Sequence, residues 1–212
     1  MIHITDLLEH RVFQGEMPPP KQHGYQYLLA GNGVVLRAAN RFMDVAQVIA
    51  PADVRGLPRL QPYVRLNGRL PGRFILSVIL HAQKHLTREV VYQVPEEDGR
   101  FRLRVVAYGT KASAEFEDCA PAADILFEAH SHNTMSAFFS GTDNAFEQHF
   151  RFYAVVGHLD QPRPSVTFRL GVYGYHIPLP LSTLFDFSQG EDDLFQEVIH
   201  ANRHIPALPR RP

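Results

Sequence analysis

The chain has 212 residues with 21 basic against 22 acidic side chains, and at about 150 residues per domain that length holds one domain and an appendage, not a solenoid or a multidomain machine. Apolar residues at 45% and charged residues at 20% supply an ordinary core, and a net charge of -1 gives no overall drive toward nucleic acid or anionic lipid. A single cysteine, Cys119, excludes an intramolecular disulfide and any Cys-rich zinc centre, so a metal would have to be held by carboxylates and the 12 histidines.

Met1 to Glu16 carries charge every few residues and has no basic segment followed by an apolar run, which is not the pattern of a secretion signal. No stretch approaches the ~18 uninterrupted apolar residues of a membrane span. The expectation is a soluble, cytoplasmic protein with neither nucleic acid nor membrane as a partner. Met17-Pro18-Pro19-Pro20 then breaks the chain, because prolines supply no backbone donors. Tyr25 to Ala30 and Val34 to Ala39 read as strands around Gly31-Asn32-Gly33, a hairpin signal. Between Ala50 and Gly72, proline and glycine recur too often for a long element, which puts a boundary near residue 70.

Phe74, Ile75, Val78, Ile79, Ala82 and Leu86 follow helical spacing. Glu89 to Val94 and Arg100 to Val106 read as the strands of a second hairpin, joined by Pro95 to Gly99. Lys111 to Ala123 reads as a loop, and Cys119 within it lacks the basic surroundings of a nucleophile. Asp124 to Ala129 is a short strand running into His130-Ser131-His132. Ser140 to Phe150 reads as a helix, Phe152 to His158 and Val166 to Tyr173 as strands, and Asp192 to His200 as a helix before a Pro- and Arg-rich mobile tail. The expected class is mixed α/β (α+β), since no regular βαβ repetition is present. Its divisions are an N-terminal hairpin module over 1–70, a main domain over 71–200 and a tail over 201–212.

His130 and His132 are two apart at a strand end, where alternate side chains share a face, so both imidazoles can approach one ion. Asp143 lies on the first turn of the next helix, where its carboxylate can swing back toward that strand. Two histidines and one carboxylate form a three-ligand zinc site with a fourth position open, the catalytic rather than the structural arrangement. A general base is then needed, and Glu89, at the start of a strand, is the candidate. Ser140 and Asp143 also read as a capping box, which is compatible with ligation. Glu128, two before His130, is a rival base or an outer-sphere partner; a core-edge carboxylate is the simpler reading. His81 and His85 lack the Glu of a zinc-binding helix motif and read as surface or packing residues. Met135, Phe138 and Phe139 form either a groove wall or local packing.

The run His130-x-His132, seven residues, Ser140-x-x-Asp143, with Glu89 after an apolar helix, resembles the JAMM motif of the JAB/MPN-domain metalloproteases. Length and the extra N-terminal module are most similar to the prokaryotic PRTRC-system protein A group, whose gene clusters also encode a ThiF-like protein. The resemblance covers roughly residues 74–175. It implies a deaminase-like mixed sheet flanked by helices, Zn²⁺ (Zn2+) on His130, His132 and Asp143, Glu89 as base, and Ser140 as donor to the developing oxyanion. The implied activity is removal or trimming at the C-terminal tail of a ubiquitin-like protein. The implied alternative is a non-catalytic interaction module for a ubiquitin-like or ThiF-like partner. Two positions depart from the pattern: Asn133 stands where the family has Pro, and Tyr92 where it has Gly.

Overall fold

A computed structural model describes residues 8–21, 24–109 and 120–188. The expected helix Asp192 to His200, the tail and Cys119 lie outside the described residues. The chain divides between Gly68 and Arg69 into two compact units.

In the first unit β1 (Leu8–Val12), β2 (Tyr25–Ala30), β3 (Gly33–Ala39), β4 (Met43–Pro51) and β5 (Tyr63–Leu66) form one sheet in that order. β1 runs parallel to β2, and the other neighbours are antiparallel. Phe13, Leu28, Ala30, Val35, Ala46 and Leu60 make its buried cluster. The expected hairpin is β2–β3, turning on Gly31-Asn32. Beside it the Asn32 side chain accepts from Leu60 N–H and donates to Leu60 O, both at 2.9 Å. The proline run still accepts hydrogen bonds: Pro18 O from buried Arg37, and Pro19 O from Gln26 at 3.1 Å. β4 escapes the sequence reading because Asp44 interrupts the apolar pattern, and β5 because it lies in the Pro- and Gly-rich stretch between Ala50 and Gly72. The Asp44 carboxylate is committed inside the sheet, to Arg37 at 2.9 Å and to the Tyr63 hydroxyl at 3.0 Å.

Among its described residues the second unit is strand-rich with few helices. Its elements are β6 (Leu70–Pro71), α1 (Arg73–Ala82), β7 (Val90–Glu97), β8 (Arg100–Phe101), β9 (Arg104–Tyr108), β10 (Ile125–Ser131), α2 (Gly141–Phe146), β11 (Arg151–Gly157), β12 (Ser165–Val172), β13 (Tyr175–Pro178) and β14 (Phe185–Asp186). The main sheet runs β13-β12-β11-β10-β7-β8, with β9 also on β7, and β14 pairs separately with β6. Within the main sheet β10 and β11 are parallel, whereas β10 on β7 and β12 on β11 are antiparallel.

Register sorts the side chains into two faces. Phe127 lies opposite Phe152, which lies opposite Leu170, and Ala154 lies opposite Phe168. Phe152 and Phe168 stack with centroids 5.4 Å apart, and Phe185 meets Phe127 edge-on at 5.2 Å. Tyr92, opposite Ala129, shares this face and meets His81 of α1 at 3.0 Å, and α1 buries Ile75, Val78, Ile79 and Ala82. The opposite face carries Glu128, His130, Arg151, Tyr153 and Arg169.

Several boundaries differ from the sequence reading. α1 stops at Ala82 and not at Leu86, because Lys84 and His85 N–H turn to the third carbonyl back and tighten the chain out of the helix. β7 continues through Pro95 to Glu97, and the hairpin turn is only Asp98-Gly99, with φ of 50° and 72°. α2 ends at Phe146 and not Phe150, since Glu147 takes φ -82° and ψ 64°. No helix among the described residues is long and apolar enough to cross a membrane.

Candidate metal centre

Strand alternation puts His130 on the polar face of β10 and turns Ser131 away, where its hydroxyl accepts from Val90 N–H at 2.9 Å. His132 N–H donates to Val156 O at 2.7 Å, extending the contact with β11 one residue beyond the strand and bringing its imidazole back to the His130 side. The two Nε2 atoms stand 3.3 Å apart, and His130 Nε2 is 3.5 Å from Asp143 Oδ1. The three side chains are buried, at 3%, 5% and 4% exposure, and one ligand atom of each lies within 4.8 Å of the others. They form a group that could hold a metal ion.

Their surroundings fix which atoms face inward. His132 Nδ1 meets Ser136 O at 3.3 Å; a carbonyl only accepts, so Nδ1 carries the proton and Nε2 keeps its lone pair for a ligand. Asp143 Oδ2 accepts from both the N–H and the hydroxyl of Ser140, each at 2.7 Å, which leaves Oδ1 to face His130. Ser140 Oγ in turn accepts from Asp143 N–H at 3.1 Å. The capping box and the ligand assignment are therefore one structure, since the cap orients the carboxylate. Ser140→Ala is expected to lower stability by about 0.5–2 kcal/mol through the lost cap. It is also expected to weaken metal binding by up to about 10–100-fold, because the Asp143 carboxylate then keeps only the backbone N–H of its two Ser140 hydrogen bonds. Thermal melts and chelator competition read the two effects separately.

The residue expected as base is placed by register. Glu89 lies just before β7, two residues before Val91, which pairs with His130. Glu89 O accepts from Gly109 N–H at 2.8 Å, tying this end of the strand to the end of β9. The converging group itself contains the two histidines and Asp143. Glu128 shares the face but is engaged: its Oε2 accepts from Arg151 at 3.2 Å and from Gln93 at 3.1 Å. This matches a core-edge carboxylate better than a base.

Both departures from the motif have a local cause. Asn133 has φ 51°, a left-handed conformation that Asn tolerates and that proline, fixed near -65°, cannot adopt. Its carbonyl accepts from Leu159 N–H at 2.8 Å, so the chain bends where the motif usually stiffens. Tyr92 points to the α1 face, away from the ligand side. His81 and His85, with rings 4.6 Å apart, are packing residues at the end of α1; burial, then the neighbouring His85 and Lys84, hold His81 below its usual pKa.

Of the three apolar loop residues, Met135 and Phe138 are exposed, at 52% and 46%, and Phe138 stands edge-on to His132 at 4.6 Å. Phe139 packs instead under the Arg169 guanidinium, 3.6 Å from its ring centre. The sequence reading missed Ser136, Asn144, Glu147 and Arg169. Arg169 left one sign, a lone cation inside the apolar run Val166 to Val172. It also missed Gly157, where a Cβ would strike Met135 O and lie 2.5 Å from Ala137 N. Gly157→Ala is expected to push this loop, and with it the Ser136 carbonyl, away from His132. The expected destabilisation is about 1–3 kcal/mol with weakened metal uptake, measured by denaturant unfolding and elemental analysis.

No protein-family model matches this chain, and no curated protein is significantly similar to it.

Proposed function

We propose that the chain is a zinc-dependent isopeptidase or peptidase of the JAMM type, with a JAB/MPN-like main unit, that acts in the cytoplasm on the C-terminal tail of a ubiquitin-like protein. The observation that carries the reading is the 3.3 Å separation of the two Nε2 atoms with Asp143 Oδ1 3.5 Å from one of them. Tetrahedral zinc with bonds of about 2.0–2.1 Å has ligand atoms roughly 3.3–3.4 Å apart, and its donor set is drawn from imidazole nitrogen and carboxylate oxygen. His130, His132 and Asp143 would hold it.

Zinc held there would supply Lewis acidity for polarising a carbonyl and for making water nucleophilic near neutral pH. His132 is held in the ligating tautomer by Ser136, and Asp143 in the ligating orientation by Ser140. Glu89 takes the proton of the attacking water at its carboxylate and passes it to the leaving amine. Ser140 serves the oxyanion by turning its hydroxyl proton from Asp143 toward the substrate. The substrate class and a ThiF-like partner rest on the resemblance of the His130 to Asp143 run.

The test is incubation of the zinc-loaded protein with ubiquitin-like proteins extended past their C-terminal tails. Cleavage at the tail, lost on chelation and restored by zinc, is the expected result. Fully loaded protein that binds such a substrate and leaves it intact would overturn the peptidase and favour the interaction module.

A further inference from the structure

We propose that Arg169 is the positioning residue of this centre: its buried guanidinium grips the helix that carries Asp143 and so determines where that carboxylate stands. The proposal rests on the reading that His130, His132 and Asp143 hold a metal. α2 has six residues, and helices shorter than about 12–15 residues are marginal without tertiary support. The capping box ties down only the first turn, so the remaining support must come from outside the helix.

One side chain of β12 supplies part of it. Arg169 Nε and Nη2 donate to Glu147 Oε2 at 3.0 and 2.6 Å, and Nη1 donates to Asn144 Oδ1 at 2.6 Å. Its guanidinium carbon lies 3.6 Å from the Phe139 ring centre. These three partners bracket the ligand segment. Phe139 directly precedes Ser140, Asn144 directly follows Asp143, and Glu147 N–H donates to Asp143 O at 2.8 Å. Arg169 thus reaches both ends of Ser140–Asp143. A second tie joins the same helix end to β13, where His176 Nε2 meets Glu147 O at 3.1 Å.

Arg169 is 6% and Glu147 2% exposed. A buried ion pair is a poor source of stability, because desolvating both charges offsets their attraction. It is a good source of geometry, since the planar fork of arginine fixes distance and orientation together. A carboxylate held 3.5 Å from His130 Nε2 by a six-residue helix needs that geometry.

The test uses the full chain and three variants. Arg169→Lys keeps the charge beside Glu147 but loses the fork, and Asn144→Ala removes one hydrogen bond from an exposed residue. Asp44→Asn breaks the Arg37 ion pair of the other unit and serves as a control for general destabilisation. Zn²⁺ affinity is read by competition with a chromogenic chelator, the ligand field by the visible spectrum of the Co²⁺-loaded protein, and stability by melting the metal-free protein. Arg169→Lys is expected to weaken Zn²⁺ binding severalfold, up to the roughly 10–100-fold that loss of a group bonded directly to a ligand costs, and to alter the Co²⁺ spectrum. Asn144→Ala should do the same more weakly while melting near wild type, and Asp44→Asn should melt lower with unchanged affinity. Affinities within twofold of wild type and an unaltered Co²⁺ spectrum in Asn144→Ala and in folded Arg169→Lys would overturn the proposal. If Arg169→Lys does not fold, Asn144→Ala decides. Wild-type protein that takes up no Zn²⁺ would instead overturn the metal reading, and this proposal with it.

Discussion

Asp143→Ala is expected to abolish stoichiometric metal uptake. Wild-type protein should carry one divalent ion per chain after dialysis, and the variant should lose more than the roughly 10–100-fold in affinity that removal of an outer-sphere partner costs. The reason is geometric: among the described residues, Asp143 supplies the carboxylate of the converging group, and its partners are two imidazoles. The substitution also removes the acceptor of two Ser140 hydrogen bonds at 2.7 Å, so part of any loss could come from a frayed α2. Asp143→Asn separates the effects. An amide oxygen still accepts from Ser140 N–H and preserves the cap, but it offers no negative charge to a cation. Elemental analysis should therefore find both variants depleted, with the Asn variant melting closer to wild type. Equal, substoichiometric metal in wild type and Asp143→Ala would show that these three residues are not a ligand set.

Glu89→Gln should leave metal content unchanged and reduce turnover by about 100- to 10,000-fold, the usual contribution of a general acid or base, because an amide cannot accept the proton at neutral pH. Glu128→Gln makes the opposite forecast. Glu128 balances Arg151, which is 3% exposed, so losing its charge leaves a buried guanidinium without its ion-pair partner and should cost about 3–5 kcal/mol of stability. Its turnover per folded, metal-loaded molecule should change little. Metal content, melting temperature and initial rate on a tail-extended ubiquitin-like substrate distinguish the two. Full activity in Glu89→Gln would remove Glu89 from the mechanism and with it the register of the resemblance at residues 89–94.

The parts of the site legible in the sequence are those written in local periodicity. His130 and His132 share a face because strands alternate, and Ser140 with Asp143 form a cap because a helix start leaves its amides unbonded. Both follow from spacings of two and three residues. The rest depends on partners far along the chain. Glu147 ends α2 early because its carboxylate turns to Arg169, 22 residues away, which no window around Ser140 to Phe150 contains. Asn133 takes a left-handed bend because Leu159 waits for its carbonyl. The first unit shows the same limit: β4 looks broken at Asp44 until Arg37 and Tyr63 are brought beside it.

The parallel pairing of β10 with β11 has a consequence for how the centre behaves over time. Parallel neighbours need a long crossover, and here it is the segment from His132 to Phe150, which carries the loop, the cap and α2. His130 sits on the strand before that crossover and Asp143 within it, so an ion shared between them would close the segment as a staple closes a fold of paper. Opening the crossover would then require releasing the ion. Amide protons of residues 141–147 should accordingly exchange with solvent much more slowly in loaded than in metal-free protein, while those of the β2–β3 hairpin exchange alike in both.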